Sequence, residues 1–508
     1  MCGIAGVWNR VAGREAVNTM LQRMAHRGPD ASGIYTGPRG LLGHRRLSIM
    51  DPSGGDQPLF SEDRSRAIVA NGEIYNFRAW RRRLDSRHTF ATTSDTEVLL
   101  HLYEELGPQM VSVLDGMYAF ALADGPLLMA ARDPIGIKPL YYGEAEGAFW
   151  FASEVDALAP HVPRVREFPP GTWYRSDCGF QRYYRVPDLD PEPLDVEAAV
   201  ARVRATLEAA VVKRLMSDVP LGAFLSGGLD SSLIVALARR HLPGPLHTFA
   251  VGVEGSPDIE AARRVSRHVG THHHEYCLSA DEIRRELPRI IRALESYDVD
   301  LVRSAVPCHF TCRLAARHVK VVLTGEGADE LFAGYAYYEG FDGDEAALHR
   351  ELRRSVSSLH NINLQRVDRL TMRHSIEGRV PFLDLAMIEL GQRIPASLKR
   401  RGKPPVEKWI LRRAFEDLLP PEILWRKKQQ FDEGSGTVAV LEAAVAEMMS
   451  EADASAYRAE HPDIRLPNRE ACVYHRIFSE VFPRPERVHA TVAHWADRPP
   501  AGGEGRNP

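Results

Sequence analysis

Two hydrophobic rhythms divide the chain. Through the first 185 residues the apolar runs are short and bounded by Gly, Pro, Asn or Asp. Residues 40–44, 66–70 and 117–122 have strand length with turn signals nearby. One stretch there, residues 96–106, carries Val98, Leu99, Leu102 and Leu106 at helical spacing. Beyond residue 195 the rhythm changes. Residues 196–216 set Val200, Val203, Leu207, Ala210, Val211 and Leu215 on one helical face. Strands are then predicted at 219–225, 246–253, 271–279 and 319–324, and helices at 233–240, 258–268 and 280–294. Asp258 is the expected N-cap of the 258–268 helix, and Gly270 lies just past its end. Strands alternating with helices imply a parallel, doubly wound sheet, in which ligands sit at the carboxyl ends of strands. Between the halves, residues 186–195 hold three Pro and four acids and read as a linker.

Length and composition narrow the class. At 508 residues, two or more domains can each bury a core. The 44% hydrophobic and 26% charged content is that of a soluble globular protein. Lys+Arg 64 against Asp+Glu 68 gives a net charge of −4, so no global field points to nucleic acid or membrane. Cys2, Cys178, Cys277, Cys308, Cys312 and Cys472 are too scattered for a disulfide scaffold, and Cys308 with Cys312 lacks a second pair at zinc spacing. There is no apolar run of membrane-spanning length and no basic region followed by an apolar core at the N-terminus. A reducing cytoplasm is the expected compartment. Residues 484–508, rich in Pro, Gly and charge, are expected to be disordered.

The most informative stretch is Ser226-Gly-Gly-Leu-Asp-Ser-Ser232, between a short apolar strand and a helix. Strand, small-residue loop and helix together aim free backbone N–H groups at a polyanion. Gly227 and Gly228 let the backbone turn tightly and approach phosphate closely. Ser226, Ser231 and Ser232 add hydroxyl donors, and Asp230 can hold a metal ion. The loop lacks the Lys of a Walker A loop, so transfer of a terminal phosphate is not its natural chemistry. At the other end, a small residue in position two lets methionine removal expose Cys2. A free α-amine, with a pKa of about 8, can then serve as the base that makes its thiol a nucleophile. Three successive histidines, His272 to His274, alternate faces of a strand and cannot easily converge on one ion.

These motifs carry a resemblance. The loop at 226–232 resembles the PP-loop of ATP pyrophosphatases, which release pyrophosphate and leave AMP on a substrate. Cys2, His26-Arg27-Gly28-Pro29-Asp30, His44-Arg45-Arg46-Leu47-Ser48-Ile49, Ala70-Asn71-Gly72-Glu73 and Ser94-Asp95-Thr96-Glu97 occur in the order of class II glutamine amidotransferases. The resemblance covers residues 1–185 and implies an N-terminal-nucleophile hydrolase fold, an α+β sandwich of αββα layers. It assigns Cys2 as nucleophile and Asn71 with the Gly72 N–H as oxyanion hole, two donors suited to a tetrahedral intermediate. It assigns Arg46, within the glutamine-binding run Arg46-Leu47-Ser48-Ile49-Met50, to the substrate carboxylate, and Glu73 and Asp95 to its ammonium end.

Residues 196–483 resemble the synthetase domain of glutamine-hydrolysing asparagine synthetases, an α/β doubly wound PP-loop domain. The matching stretches include 226–232, Thr324-Gly-Glu-Gly-Ala-Asp-Glu330, Glu377-Gly-Arg-Val-Pro-Phe-Leu-Asp384 and Trp425-Arg-Lys-Lys-Gln-Gln-Phe431. By resemblance Phe224, Leu225, Ser226, Gly227, Gly228, Asp230, Ser231, Val251, Thr324 and Gly325 hold ATP. Asp230 and Asp329 are the Mg²⁺ candidates. Glu326 is the acid for forming an aspartyl-adenylate, and Lys428 meets the ATP phosphates. The implied substrates are glutamine, aspartate and ATP. Oligomeric state stays open, a homodimer being one arrangement. After Phe431 the chain reads Asp432-Glu433-Gly434 where the family has roughly Ser-Asp-Gly. An alternative reading is therefore a related amidotransferase that amidates another carboxylate in specialised metabolism. A β-lactam synthetase would need no ammonia and hence no Cys2. A tRNA-thiolating PP-loop enzyme would want a basic face.

Overall fold

A computed structural model describes residues 2–10, 13–341, 343–482 and 484–495. Two six-stranded antiparallel sheets stack in the first half. Cys2–Trp8 and Gly40–Arg46 are neighbours in one; Arg66–Ile74 and Gly116–Asp124 are neighbours in the other. Strand alternation sorts their side chains. Ile4, Trp8 and Leu42 meet Val69, Ala119 and Ala121 between the sheets. Ala5 and Val7 face outward under the helix Arg14–Arg23, while Ile68 and Ala70 face outward under Phe77–Leu84 and Val98–Leu106. The layers are αββα. Cys2 shares the parity of Ile4, and Asn71 that of Val69, so both side chains enter the space between the sheets.

The second half holds a five-stranded parallel sheet in the order His272–Cys277, His247–Gly252, Leu221–Phe224, Val321–Leu323, Glu377–Arg379. Strand order reverses between Leu221–Phe224 and Val321–Leu323, which is where a doubly wound sheet opens a crevice at its carboxyl edge. Both small-residue loops leave from these two strands.

Three expectations are corrected. The N-cap of the helix Pro257–Val269 is Ser256, whose hydroxyl accepts the Ile259 N–H, with Pro257 in the first turn; Asp258 instead pairs with Arg426 at 2.8 Å. Helix Leu229–Arg240 begins four residues ahead of the expected start, taking Asp230 into its first turn, where a carboxylate suits the positive helix end. Residues 484–495 are ordered: Val488 is 1% exposed, and the Val165 N–H donates to the Arg487 carbonyl at 3.0 Å. The remainder of the expected disordered tail, 496–508, lies outside the described residues.

The halves are joined by buried charge. Arg27, with no exposed surface, donates to Asp368 at 2.8 and 3.1 Å and to Glu154 at 3.0 Å. Arg369 pairs with Glu295 at 2.7 Å and donates to the Ser153 carbonyl at 2.9 Å. Asp368 and Arg369 sit on the helix Asn363–Arg373, which is buried over nearly its whole length. Removing one member of such a pair strands the other in a dry interior. Asp368→Ala is expected to cost about 3–5 kcal/mol and to lower the midpoint of thermal unfolding; an unchanged midpoint would show that the pair bears no load.

Candidate active sites

At the open end of the sandwich, the Cys2 N–H donates to Asn71 Oδ1 at 2.9 Å. That bond fixes the amide so that Asn71 Nδ2 is buried and has no hydrogen-bond partner. An orphaned donor beside a thiol is what an oxyanion requires. Gly72 follows at φ 146°, and a Cβ there would stand 1.9 Å from the Met117 carbonyl oxygen, so only glycine fits. Burial pushes the Cys2 thiol up from its ordinary range; the chain's amino terminus, the Leu47 N–H and the Arg46 charge oppose this.

Arg46 is 5% exposed and donates to the carbonyls of Met50, Asp51 and Pro52 at 3.3, 2.5 and 3.2 Å. It thereby folds the 47–52 segment back on itself, with Leu47, Ile49 and Met50 buried. Ser48 is held through its N–H by Asp30 at 2.8 Å. Asp95 accepts the Ile74 N–H at 2.6 Å, and its carboxyl is pushed up to about 6, chiefly by burial and then by the facing Glu377. Glu73 faces Arg379 of the second half at 3.6 Å. Burial, then Glu377 and Asp95, raise its carboxyl well above the usual range. All the residues expected at the glutamine end are thus brought together, with Arg379 added.

At the other centre a cavity of about 440 Å³ opens at the sheet's carboxyl edge. Phe224, Leu225 and Val251 line it from the strand ends, and Ser226, Gly228, Asp230 and Ser231 from the first loop. Thr324, Gly325, Glu326 and Asp329 line it from the second loop, and Lys428 from above. Gly227 is the exception: it sits at φ 72° with the position of a Cβ 2.4 Å from Ala261 Cβ, so it shapes the turn and does not line the cavity. Ser226 and Ser231 hydroxyls bond each other at 3.1 Å, pinning the loop.

The charges here form a balanced set. Lys408 Nζ lies 2.5 Å from Asp230 and 2.6 Å from Asp329; Lys428 lies 2.8 Å from Asp329. Burial would raise the Asp329 carboxyl, but these two ammoniums outweigh it and hold it below the usual range. The other oxygen of Asp230, Oδ1, is buried without a hydrogen-bond partner. Glu326 is gripped by the buried guanidinium of Arg366, on the helix Asn363–Arg373. The unusual Asp432-Glu433 pair divides its duties. Asp432 is buried and lines the cavity, whereas Glu433 turns out to accept the Gln430 N–H as part of a helix cap.

Sequence reasoning missed Lys408, Arg366 and Trp495. Lys408 carries a structural mark, φ 54°, the left-handed region that a lysine rarely occupies. Trp495, within the expected tail, lines the cavity and stacks edge-on against Tyr335 with ring centroids 5.3 Å apart.

Known proteins share this layout. Residues 1–174 match the glutamine amidotransferase domain family, and residues 202–341 and 340–498 match the asparagine synthase family. An asparagine synthetase [glutamine-hydrolyzing] of Arabidopsis thaliana is 40% identical over 518 residues, covering 97% of this chain and 89% of its own. A probable asparagine synthetase [glutamine-hydrolyzing] of Dictyostelium discoideum is 37% identical over 537 residues, covering 97% and 96%. With both families matched in tandem and relatives this similar from end to end, the chain belongs to the glutamine-hydrolysing asparagine synthetases, ATP-dependent ligases that draw their amide nitrogen from glutamine.

Proposed function

We propose the following division of labour between the two centres. Cys2, freed by methionine removal, attacks the side-chain amide carbon of glutamine, and its own α-amine takes the thiol proton. Asn71 Nδ2 and the Gly72 N–H receive the negative oxygen. Collapse releases ammonia and leaves a thioester, which water cleaves to glutamate. Arg46 holds the substrate carboxylate, and Asp95 with Glu73 its ammonium.

In the second half, the β-carboxylate of aspartate attacks the α-phosphorus of ATP and pyrophosphate leaves. Ammonia then attacks the acyl-adenylate carbon, AMP leaves, and asparagine results. The 226–232 loop holds phosphate oxygens on backbone N–H groups and hydroxyls, and Lys428 and Lys408 offset the charge gathering on the departing pyrophosphate. Glu326, held by Arg366, serves as the acid for forming the acyl-adenylate. Asp230 and Asp329 fit a Mg²⁺ site, since carboxylates plus phosphate oxygens are its usual ligands and Asp230 Oδ1 has no other partner. Bound there, the ion would add positive charge along the polyphosphate. No described helix is long and apolar enough to cross a membrane.

The observation that carries this reading is the helix Asn363–Arg373. Its Arg366 holds Glu326, and its Asp368 holds Arg27, whose Nε donates to the Cys2 carbonyl at 3.0 Å. One rigid element touches both centres, which an isolated glutaminase or an isolated adenylating enzyme would not need.

Three outcomes test the reading. Cys2→Ala should abolish glutamine-dependent asparagine formation and preserve formation from added ammonia, followed by amino-acid analysis; loss of both would refute separable centres. Lys428→Ala should lower aspartate-dependent pyrophosphate release by about 10²–10³-fold, the cost of removing a donor from developing charge, and leave glutaminase turnover intact. Asp95 must be ionised to hold an ammonium, and its carboxyl is raised to about 6. Glutaminase kcat/KM, which reports groups of the free enzyme, should therefore fall as pH drops through 6; a profile flat down to pH 5 would remove Asp95 from this role.

A further inference from the structure

A second group of potential ligands lies away from both centres. His247 and His274 project from neighbouring parallel strands, two positions apart in register, and His318 reaches them from the turn after the helix Val299–Ala315. One ring nitrogen from each lies within 4.8 Å of the others. His247 Nδ1 and His274 Nε2 are 2.9 Å apart, and the His318 ring stacks on His274 with centroids 3.9 Å apart. A tetrahedral ion with bonds of about 2.0 Å sets its ligand nitrogens about 3.3 Å apart, so the spacing fits, and the near-parallel rings must turn for their in-plane lone pairs to meet at one point. His272, on the same strand face as His274, stands edge-on to His247 with ring centroids 5.5 Å apart.

We propose that His247, His274 and His318 bind one divalent ion of the imidazole-preferring class: Zn²⁺, Ni²⁺ or Cu²⁺. The chemistry selects against hard cations. The trio is all nitrogen, and hard cations such as Mg²⁺ and Ca²⁺ want oxygen. The adjacent acid, Glu275, is turned away and paired with Arg263 at 2.8 Å. The site is also reachable, for His318 is exposed and the other two are half-buried. A contact between two neutral imidazoles explains the 2.9 Å pair, but not a third ring laid against it from another element. The only other such trio among the described residues, Glu62, His88 and His101, is less free. There His88 and His101 already face Glu105 at 3.0 Å and Glu104 at 2.9 Å.

An ion here would tie the edge of the parallel sheet to the turn beyond the helix Val299–Ala315 and so raise thermal stability by binding only the folded state. It would also sit behind Phe249, whose ring stacks on His274 with centroids 5.3 Å apart and which lines the nucleotide cavity. The test is calorimetric titration of the untagged, chelator-treated full chain with NiSO4, paired with thermal unfolding. The expected result is one Ni²⁺ per chain and a raised Tm. His318→Ala and His274→Gln should each weaken binding at least about tenfold and remove the Tm increase, while Cys277→Ser, a nearby exposed thiol, should change neither. His318 is exposed, so His318→Ala decides the matter even if His274→Gln fails to fold. The absence of saturable binding in the parent chain, or binding in His318→Ala equal to that of the parent, would overturn the assignment.

Discussion

The structure turns on a guanidinium with no access to water. Arg27 spends its donors on the Cys2 carbonyl, Glu154 and Asp368, and the last of these belongs to the other half of the chain. Taking such charges out of water costs several kcal/mol per ion. The pairing therefore does less for net stability than for registry. Any relative shift of the halves would strand a buried charge, so only one docking is tolerated. Arg369 extends the constraint to Glu295, whose oxygens accept the N–H groups of Val155 and Asp156 at 3.0 and 2.7 Å. Glu295 is pushed up to about 7, by burial first, with Arg369 opposing and Glu154 adding to the rise. Two arginines thus serve three acids, and the acid nearest neutrality sits at the domain seam.

Registry matters because of what lies on either side. The Cys2 backbone is fixed through Asp368 and Arg27, and Glu326 through Arg366, two residues from Asp368 on the helix Asn363–Arg373. Apolar packing also crosses the seam: Met117, Ile135 and Ile137 of the first half join Leu229, Leu359 and Val380 of the second in one core. Glu73, Arg379 and Glu377 form a buried charged cluster at that boundary, and Asp30–Lys320 and Asp115–Lys213 also pair across it.

What could be read from the sequence was whatever is local. The small-residue loops, the Cys2 and Asn71 motifs and the alternation of strands and helices each fit within a few residues, and the structure brings them together as expected. What could not be read depends on topology. The helix Asn363–Arg373 runs Asn-Leu-Gln-Arg-Val-Asp-Arg-Leu-Thr-Met-Arg, a polar pattern that signals a solvent-facing element. It is buried because its charges find partners 40 to 341 residues away, and no periodicity reports that. Strand Glu377–Arg379 escaped for the same reason: it is three residues long, two of them charged, and is satisfied only inside the assembled sheet. The 484–495 segment looked like tail because its few apolar residues, Val488 among them, are isolated in sequence and gain neighbours only on docking.

The missing Walker lysine is explained on the same terms. A loop that cradles a polyphosphate needs cations near the oxygens, and a Walker loop carries its own. Here the loop supplies only hydroxyls, N–H groups and Asp230, and the cations come from Lys408 and Lys428, 178 residues and more beyond it. The two ammoniums of Lys408 and Lys428 pair with the carboxylates of Asp230 and Asp329. That arrangement asks Lys408 to hold φ 54°, a cost borne within the fold to keep an ammonium between Asp230 and Asp329. Separating the cations from the loop makes the polyanion site depend on closure of the whole second half. The 226–232 loop, Glu326 and the distant Cys2 thiol are then held in one docked state.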